Sequence, residues 1–319
     1  MTGKCNNIKA LTKQYLSARR PFLKESSYAH YAELAENYIV PYVGKMHFEE
    51  LSSNMAGKYI TQLKTCGKTS GKGGLSDKTI RDVCSLLKSV YYFAAENGDC
   101  PSDMRFPRLI LSKPARMKSQ VLTSEHQKQL EEYLTANPNP ENLGIMICLY
   151  TGMRIGEICA LKWSDVAPDG CLINVNRTVL RIRNTEARGK QPRTVIVTGT
   201  PKTDSSQRTI PVPKAIGKLL KNEDRQMPAD YFVVTCSDRQ MEPRRYYEKY
   251  KQILHKCGIT TDYTFHALRH TYATRCIESG IDPKVVSELL GHSSVTITLN
   301  RYIHPTMEMK KRCVERLLR

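Results

Sequence analysis

Apolar residues recur at helical spacing in four early stretches, Ile8–Phe22, Tyr28–Val43, Leu51–Leu63 and Ile80–Ala95. That period predicts a mostly helical first part over residues 1–112. The intervening TCGKTSGKGGLSD (65–77) is rich in Gly, Lys and Ser and reads as a flexible loop. Residues 113–121 begin KPARMKSQ, basic and proline-containing with no apolar period. They read as a linker that could lie along phosphates. Thr123 or Ser124 then caps a helix opening EHQKQLEEYL.

The second part, 122–319, mixes periods. Helical Glu141–Leu149 and Ile155–Leu161 flank the turn TGMR. Across 163–212 the runs CLINVNRTVL, TVIVTG and RTIPVP alternate or cluster β-branched residues, as short strands do. Between the first two lies the polar RIRNTEARGKQPR, predicting a β-insertion or extended hairpin over about 181–200. From Pro213 the helical period returns, ending in a tail, 305–319, where Met307, Val314, Leu317 and Leu318 form an apolar stripe. The expected fold is mainly α with a small antiparallel β-sheet, an α+β second domain behind a helical first one.

A chain of 319 residues is long enough for two compact cores. No apolar run approaches the roughly 18 residues that span a bilayer. The polar start MTGKCNNIK lacks a secretory core. A protein that stays inside the cell is expected. Eleven cysteines run from Cys5 to Cys313 without a CxxC pair, arguing against a disulfide framework and a zinc site. The segment GKT at 67–69 invites a phosphate-loop reading, but Gln62 stands where that motif needs glycine.

Charge narrows the partner. Lys and Arg number 49 against 31 Asp and Glu, a net +18. Residues 1–120 hold 19 basic against 10 acidic residues, half of that excess. An even split suits two globular parts facing one polyanion, and nucleic acid fits better than a membrane surface.

Four short motifs bear chemistry. In HALRHTYAT, Asp262 or Thr264 is expected to cap a helix on which His266 and Arg269 share a face. In GIDPKVVSELLGHSSVTITLNRYIH, Asp282 and Pro283 start a helix and Gly291 ends it. His292 falls in the joint, Ser293 or Ser294 caps the next helix, and Tyr302 lies at its end. TGMRIGE places Arg154 after a glycine turn, where Glu157 also invites a plain local ion pair. TPKTDSSQRTIPV places Lys202 in a turn between two β-rich runs, where a lysine is ordinarily solvated.

Singly these are weak, and Tyr302 is one tyrosine among seventeen. Together, Arg154, Lys202, His266, Arg269, His292 and Tyr302 stand in one order, with Leu161-x-Trp163 and LLGHSSVTITLNRY around them. The chain thereby resembles the tyrosine recombinase (phage integrase) family over about residues 122–302. The resemblance implies a site-specific DNA recombinase that works through a 3′-phosphotyrosyl intermediate at Tyr302, without metal, nucleotide or other cofactor. It implies a two-domain, C-shaped clamp on duplex DNA, with 1–112 as core-binding domain. Its implied partners are the terminal and target DNA sites, a homotetramer on two duplexes exchanging tails in trans, and accessory DNA-bending proteins.

In that frame Arg154 and Arg269 bind the non-bridging phosphate oxygens through forked donors, and His292 adds a hydrogen bond. Clustered cations are expected to lower the phenol pKa of Tyr302. The resemblance makes His266 the general base and Lys202 the acid for the leaving 5′ oxygen. The basic insertion is similar to those of conjugative-transposon integrases, which usually carry a further N-terminal arm-binding domain. Here the core-binding pattern begins almost at once. Rival readings are a type IB topoisomerase, which relaxes supercoils by swivelling, and a non-catalytic DNA-binding regulator.

Overall fold

The computed structural model describes residues 6–71, 73–100, 106–107, 120–187, 189, 191–201, 204–224, 227–302 and 314–315. The chain divides into two compact units: Met1–Met117 with Ile182–Val195, and Lys118–Arg181 with Ile196–Arg319.

In the first unit, α1 (Ile8–Arg19) starts where Asn7 Oδ1 accepts from the Ala10 N–H at 2.9 Å. It tightens into a 3₁₀ turn, Arg20–Phe22, at Pro21. Helix α2 (Glu25–Leu34) passes through a π turn, Ala35–Ile39, into α3 (Val40–Val43). Pro41, which lacks an N–H and crowds the preceding turn, gives the physical reason for that widened stretch. Ser52 and Ser76 cap α4 (Ser53–Cys66) and α5 (Asp77–Glu96). Ile80, Val83, Leu87, Val90 and Ala94 form the buried stripe of α5 at the spacing of three and four that the sequence shows. Two ion pairs, Arg20–Glu186 at 2.8 Å and Arg183–Glu36, join the insertion to these helices.

The second unit holds α6 (Ser124–Ala136), α7 (Pro140–Thr151) and α8 (Ile155–Cys159). The strands follow: β1 (Leu172–Val175), β2 (Thr178–Arg183), β3 (Thr194–Gly199) and β4 (Arg208–Pro211). Five helices complete it: α9 (Lys214–Asp224), α10 (Pro243–Lys256), α11 (His266–Glu278), α12 (Pro283–Leu290) and α13 (Val295–Tyr302). The sheet is split in two. β1 pairs antiparallel with β4, Leu172 opposite Pro211 and Val175 opposite Arg208, while β2 pairs with β3. The β2–β3 ribbon overlaps the stretch, about 181–200, where the sequence suggests an insertion.

Helix α7 is apolar nearly all round and buried nearly all round, so it forms the centre of this unit. It packs on α6, α8, α9 and α11. Trp163, Tyr246, Tyr250 and Leu268 fill the core beside it, with Phe265 lodged 5.2 and 5.4 Å from the two tyrosine rings.

The starts of α6 and α12 match the sequence: Thr123 Oγ1 accepts from His126 N–H, and Asp282 from Lys284 N–H. The start of α11 does not. Phe265 stands at its cap without a side-chain bond, while Asp262 pairs with Lys251 and the Thr264 N–H goes to Gln120 Oε1. The Asp262 carboxylate is thus engaged by Lys251 instead of the helix start. Among the described residues, no helix is long and apolar enough to cross a membrane. Linker residues 113–119 lie outside the described residues, as does the tail 305–319 apart from Val314 and Glu315.

Candidate active site

Two left-handed glycines build the site. Gly152 (φ 65°) closes α7 with its N–H on Cys148 O and turns the chain into α8, whose cap position is Arg154. A Cβ at Gly152 would meet Tyr272 and Leu290 at under 3 Å, so only glycine fits. Gly291 (φ 63°) closes α12, and His292 follows with its N–H on Ser287 O. Ser294 Oγ then accepts from Thr296 N–H at the start of α13.

Arg269 ties the two turns together. Only 1% exposed, it donates through Nη1 to Gly152 O at 2.8 Å and through Nη2 to Leu290 O at 2.7 Å. Burial, with the charge of Arg154 next, pushes its pKa down to about 9, so it remains protonated at neutral pH. Arg154 does form the local ion pair, Nη1 to Glu157 Oε1 at 2.6 Å, with its backbone N–H on Oε2. It also reaches across to Gly291 O at 3.2 Å through Nη2. Glu157, 2% exposed, is shared with Arg208, whose Nη2 lies 3.1 Å from Oε2 and whose Nε donates to Leu289 O at 2.6 Å. Burial works against that carboxylate, but the charge and hydrogen bonds of Arg208 and Arg154 hold its pKa below the ordinary value.

The tyrosine sits among imidazoles. Tyr302, the last residue of α13, is 8% exposed, and its phenol lies 2.8 Å from His270 Nδ1. The His292 ring lies parallel to the phenol ring, centroids 6.4 Å apart, and its Nδ1 contacts Thr298 Oγ1 at 2.8 Å. His266, one turn before His270 on α11, meets that ring edge-on at 4.5 Å. His266 keeps an exposed surface, yet protein atoms crowd its imidazole. Burial first, then Arg269, Arg301 and Arg154, hold its pKa down to about 4. Burial likewise lowers His270 to about 3, assisted by His266, Arg301 and Arg269, and His292 to about 3, assisted by Arg269 and Arg154. All three are neutral at neutral pH.

Tyr302 departs from expectation. Arg269, Arg301 and Arg154 do pull its pKa down, but burial is larger and the net shift is upward. In this DNA-free state the phenol keeps its proton.

Of the six residues singled out in sequence, Arg154, His266, Arg269, His292 and Tyr302 fall on these joined turns and helices. Lys202 lies outside the described residues. Beside them a cleft of about 300 Å³ is lined by Arg154, Glu157, Thr178, Pro201, Gly291 and His292 among others. Sequence reasoning passed over His270 and Arg208. His270 stands four residues after His266 in HALRH, a spacing that shares a helix face, so the signal was present. Arg208 lies within TPKTDSSQRTIPV, but nothing in the text shows that it meets Glu157, 51 residues away. Among the described residues, no three His, Cys, Asp or Glu side chains gather as a metal site.

The phage integrase family profile matches residues 120–309. A tyrosine recombinase, XerC-like, of Caldanaerobacter subterraneus subsp. tengcongensis is 28% identical over 323 residues, covering 94% of this chain and 78% of that protein. The transposase from transposon Tn916 of Enterococcus faecalis is 28% identical over 273 residues, covering 77% of this chain and 63% of that protein. The Tn1549 transposon integrase, solved in complex with transposon right-end DNA, shares the fold. Its TM-score is 0.76 at 23% identity, covering 98% of this chain and all of that one. With well over half of its residues inside the profile, the chain belongs to the phage integrase family and is a tyrosine recombinase, an enzyme of site-specific DNA recombination.

Proposed function

We propose that this recombinase serves a mobile element of the conjugative-transposon kind, integrating and excising it by cutting duplex DNA through Tyr302. The observation that carries the reading is the joining of the Arg154 turn, Arg269 and the Gly291–His292 joint into one hydrogen-bonded cluster beside the phenol of Tyr302. Attack on a phosphodiester builds negative charge on the non-bridging oxygens. Two fixed guanidiniums answer that charge, because preorganised donors need no rearrangement as it develops. The carbonyls hold each guanidinium in place while leaving further N–H groups to donate, since an arginine has five.

In the reaction, the Tyr302 oxygen bonds to phosphorus, the bond to the 5′ oxygen breaks, and Lys202 supplies the leaving oxygen with a proton. Neutral His266 and His292 complete the ring of phosphate donors. The phosphotyrosyl bond conserves the energy of the broken one, so a second 5′ hydroxyl reverses the step.

The first unit serves as the core-binding domain, and residues 113–121 as linker to the catalytic domain. Four protomers assemble on two duplexes in the bacterial cytoplasm, with tail 305–319 docking on a neighbour and accessory DNA-bending proteins shaping the sites. The exposure of Ile281, Val285, Ile297 and Leu299 on and beside α12 and α13 supports such docking. The kinship of the Tn916 transposase supports the element class.

Two labelled duplexes bearing the element's end sequences test this. Exchange of strands between them is the expected result. Supercoil relaxation without exchange would select a topoisomerase instead.

A further inference from the structure

A phenol cannot attack phosphorus well while it keeps its proton, and here burial strengthens its hold on that proton. The question is which group takes it. The resemblance assigns the task to His266. The geometry answers differently.

Of the two imidazoles on this face of α11, His270 is the one hydrogen-bonded to the phenol, Nδ1 to Oη at 2.8 Å. Both partners are nearly sealed, His270 at 7% and Tyr302 at 8% exposed. His266 lies edge-on to His270, on the outer side, with an exposed surface. We propose that His270 is a catalytic residue that holds the Tyr302 phenol through Nδ1 and accepts its proton as the oxygen attacks the scissile phosphate. This rests on the reading of Tyr302 as nucleophile and replaces the role that the resemblance gives to His266.

The charges around His270 agree with that task. From α11 itself His266 and Arg269 face it, from α13 Arg301 and Tyr302, and from the α12–α13 joint His292. Helix α7 contributes no charge there, since its one carboxylate, Glu141, is paired with Lys249. Helix α12 carries Lys284 and Glu288 on its exposed side. Burial first, and then these cations, keep the resting imidazole neutral. A neutral ring that accepts at Nδ1 carries its own proton on Nε2. A phosphate bound to Arg269 and Arg154 offsets those same cations, which favours the imidazolium at the moment it forms.

The step balances. The Tyr302 O–H proton passes to His270 Nδ1, the O–P bond forms, the P–O5′ bond breaks, and the leaving oxygen takes a proton from its own acid. On rejoining, the 5′ hydroxyl attacks phosphorus and the imidazolium returns the proton to the departing phenolate.

The test is single-turnover formation of the covalent complex on a nicked duplex, followed across pH for wild type, His270→Asn, His270→Ala and His266→Asn. Asparagine places an acceptor near the Nδ1 position but cannot take a proton. His270→Asn is expected to bind DNA normally and to cleave about 10²–10⁴ times more slowly near neutral pH. Its rate should climb about tenfold per pH unit as hydroxide replaces the missing base. Added imidazole should raise the rate of His270→Ala. The idea is overturned if His270→Asn keeps the wild-type rate and pH profile, or if the climbing defect belongs to His266→Asn alone. Loss of folding and DNA binding in both His270 variants, without imidazole rescue, would assign the residue a structural role and equally overturn it. Absence of any Tyr302-dependent covalent band in wild type would instead remove the reading of Tyr302 itself.

Discussion

Replacing Arg208 with methionine keeps the volume of the side chain and removes its charge from the second unit. Arg208 is 6% and Glu157 2% exposed at the side chain, so the pair is buried. Removing one partner of a buried pair costs about 3–5 kcal/mol, because the other charge is left without its counterpart. Here Glu157 keeps Arg154, through Nη1 at 2.6 Å and the backbone N–H at 2.9 Å. That places the electrostatic loss at the lower end, about 3 kcal/mol. The carbonyls of Leu289 and Ser206 lose a donor as well, at about 1 kcal/mol each. A total near 5 kcal/mol follows, lowering the melting point by roughly 15 °C for a unit of this size. The chain's single tryptophan, Trp163, is buried in the core of the same unit, so its fluorescence during urea unfolding reads that unit selectively. The pH dependence has a definite sign. The Glu157 carboxyl is held below its ordinary value of 4.5, so the pair stabilises fully above that pH and loses its contribution as pH falls further. The gap between wild type and Arg208→Met should therefore narrow in acid. A loss under about 1 kcal/mol, the scale of an exposed pair, would refute the view that this network is a buried structural one.

Three further outcomes follow from the same geometry. Gly291→Ala should lower the urea midpoint, since a left-handed residue costs about 1–2 kcal/mol and the new Cβ would stand 2.9 Å from Ser205 O; an unchanged midpoint would contradict the tight joint. Burial depresses the pKa of His270 from 6.5 to about 3, so the unfolded chain binds the extra proton below pH 6.5. Stability should then fall with pH at up to about 1.4 kcal/mol per unit, and His270→Asn should flatten that slope in urea titrations. DNA affinity should drop with log salt at a slope near 0.9 per phosphate contact, measured by fluorescence anisotropy; a flat line would argue against backbone binding.

The sequence was most legible where local rules decide. Helical period located the helices of the first unit, and the Thr123, Asp282 and Gly291 signals marked element ends that the structure has. The β-insertion was visible as a basic, turn-rich gap between β-branched runs, and it forms the β2–β3 ribbon. Local rules failed where distant partners compete. Asp262 could cap α11 by sequence, but its carboxylate pairs with Lys251, and Phe265 stands at the cap instead. The tyrosine pKa was misjudged for a related reason. Nearby arginines can be inferred from motif order, while burial depends on how α11 and α13 pack. His270 lies outside the His-x-x-Arg spacing, one helical turn after His266. Its importance appears only when α13 brings Tyr302 to it.

The central claim is that Tyr302 forms a covalent bond to DNA. Incubating the protein with nicked DNA carrying the element's terminal sequences, followed by denaturing electrophoresis, measures this directly. A protein–DNA band from wild type that is absent in Tyr302→Phe is the predicted result. The same band persisting in Tyr302→Phe would contradict the account.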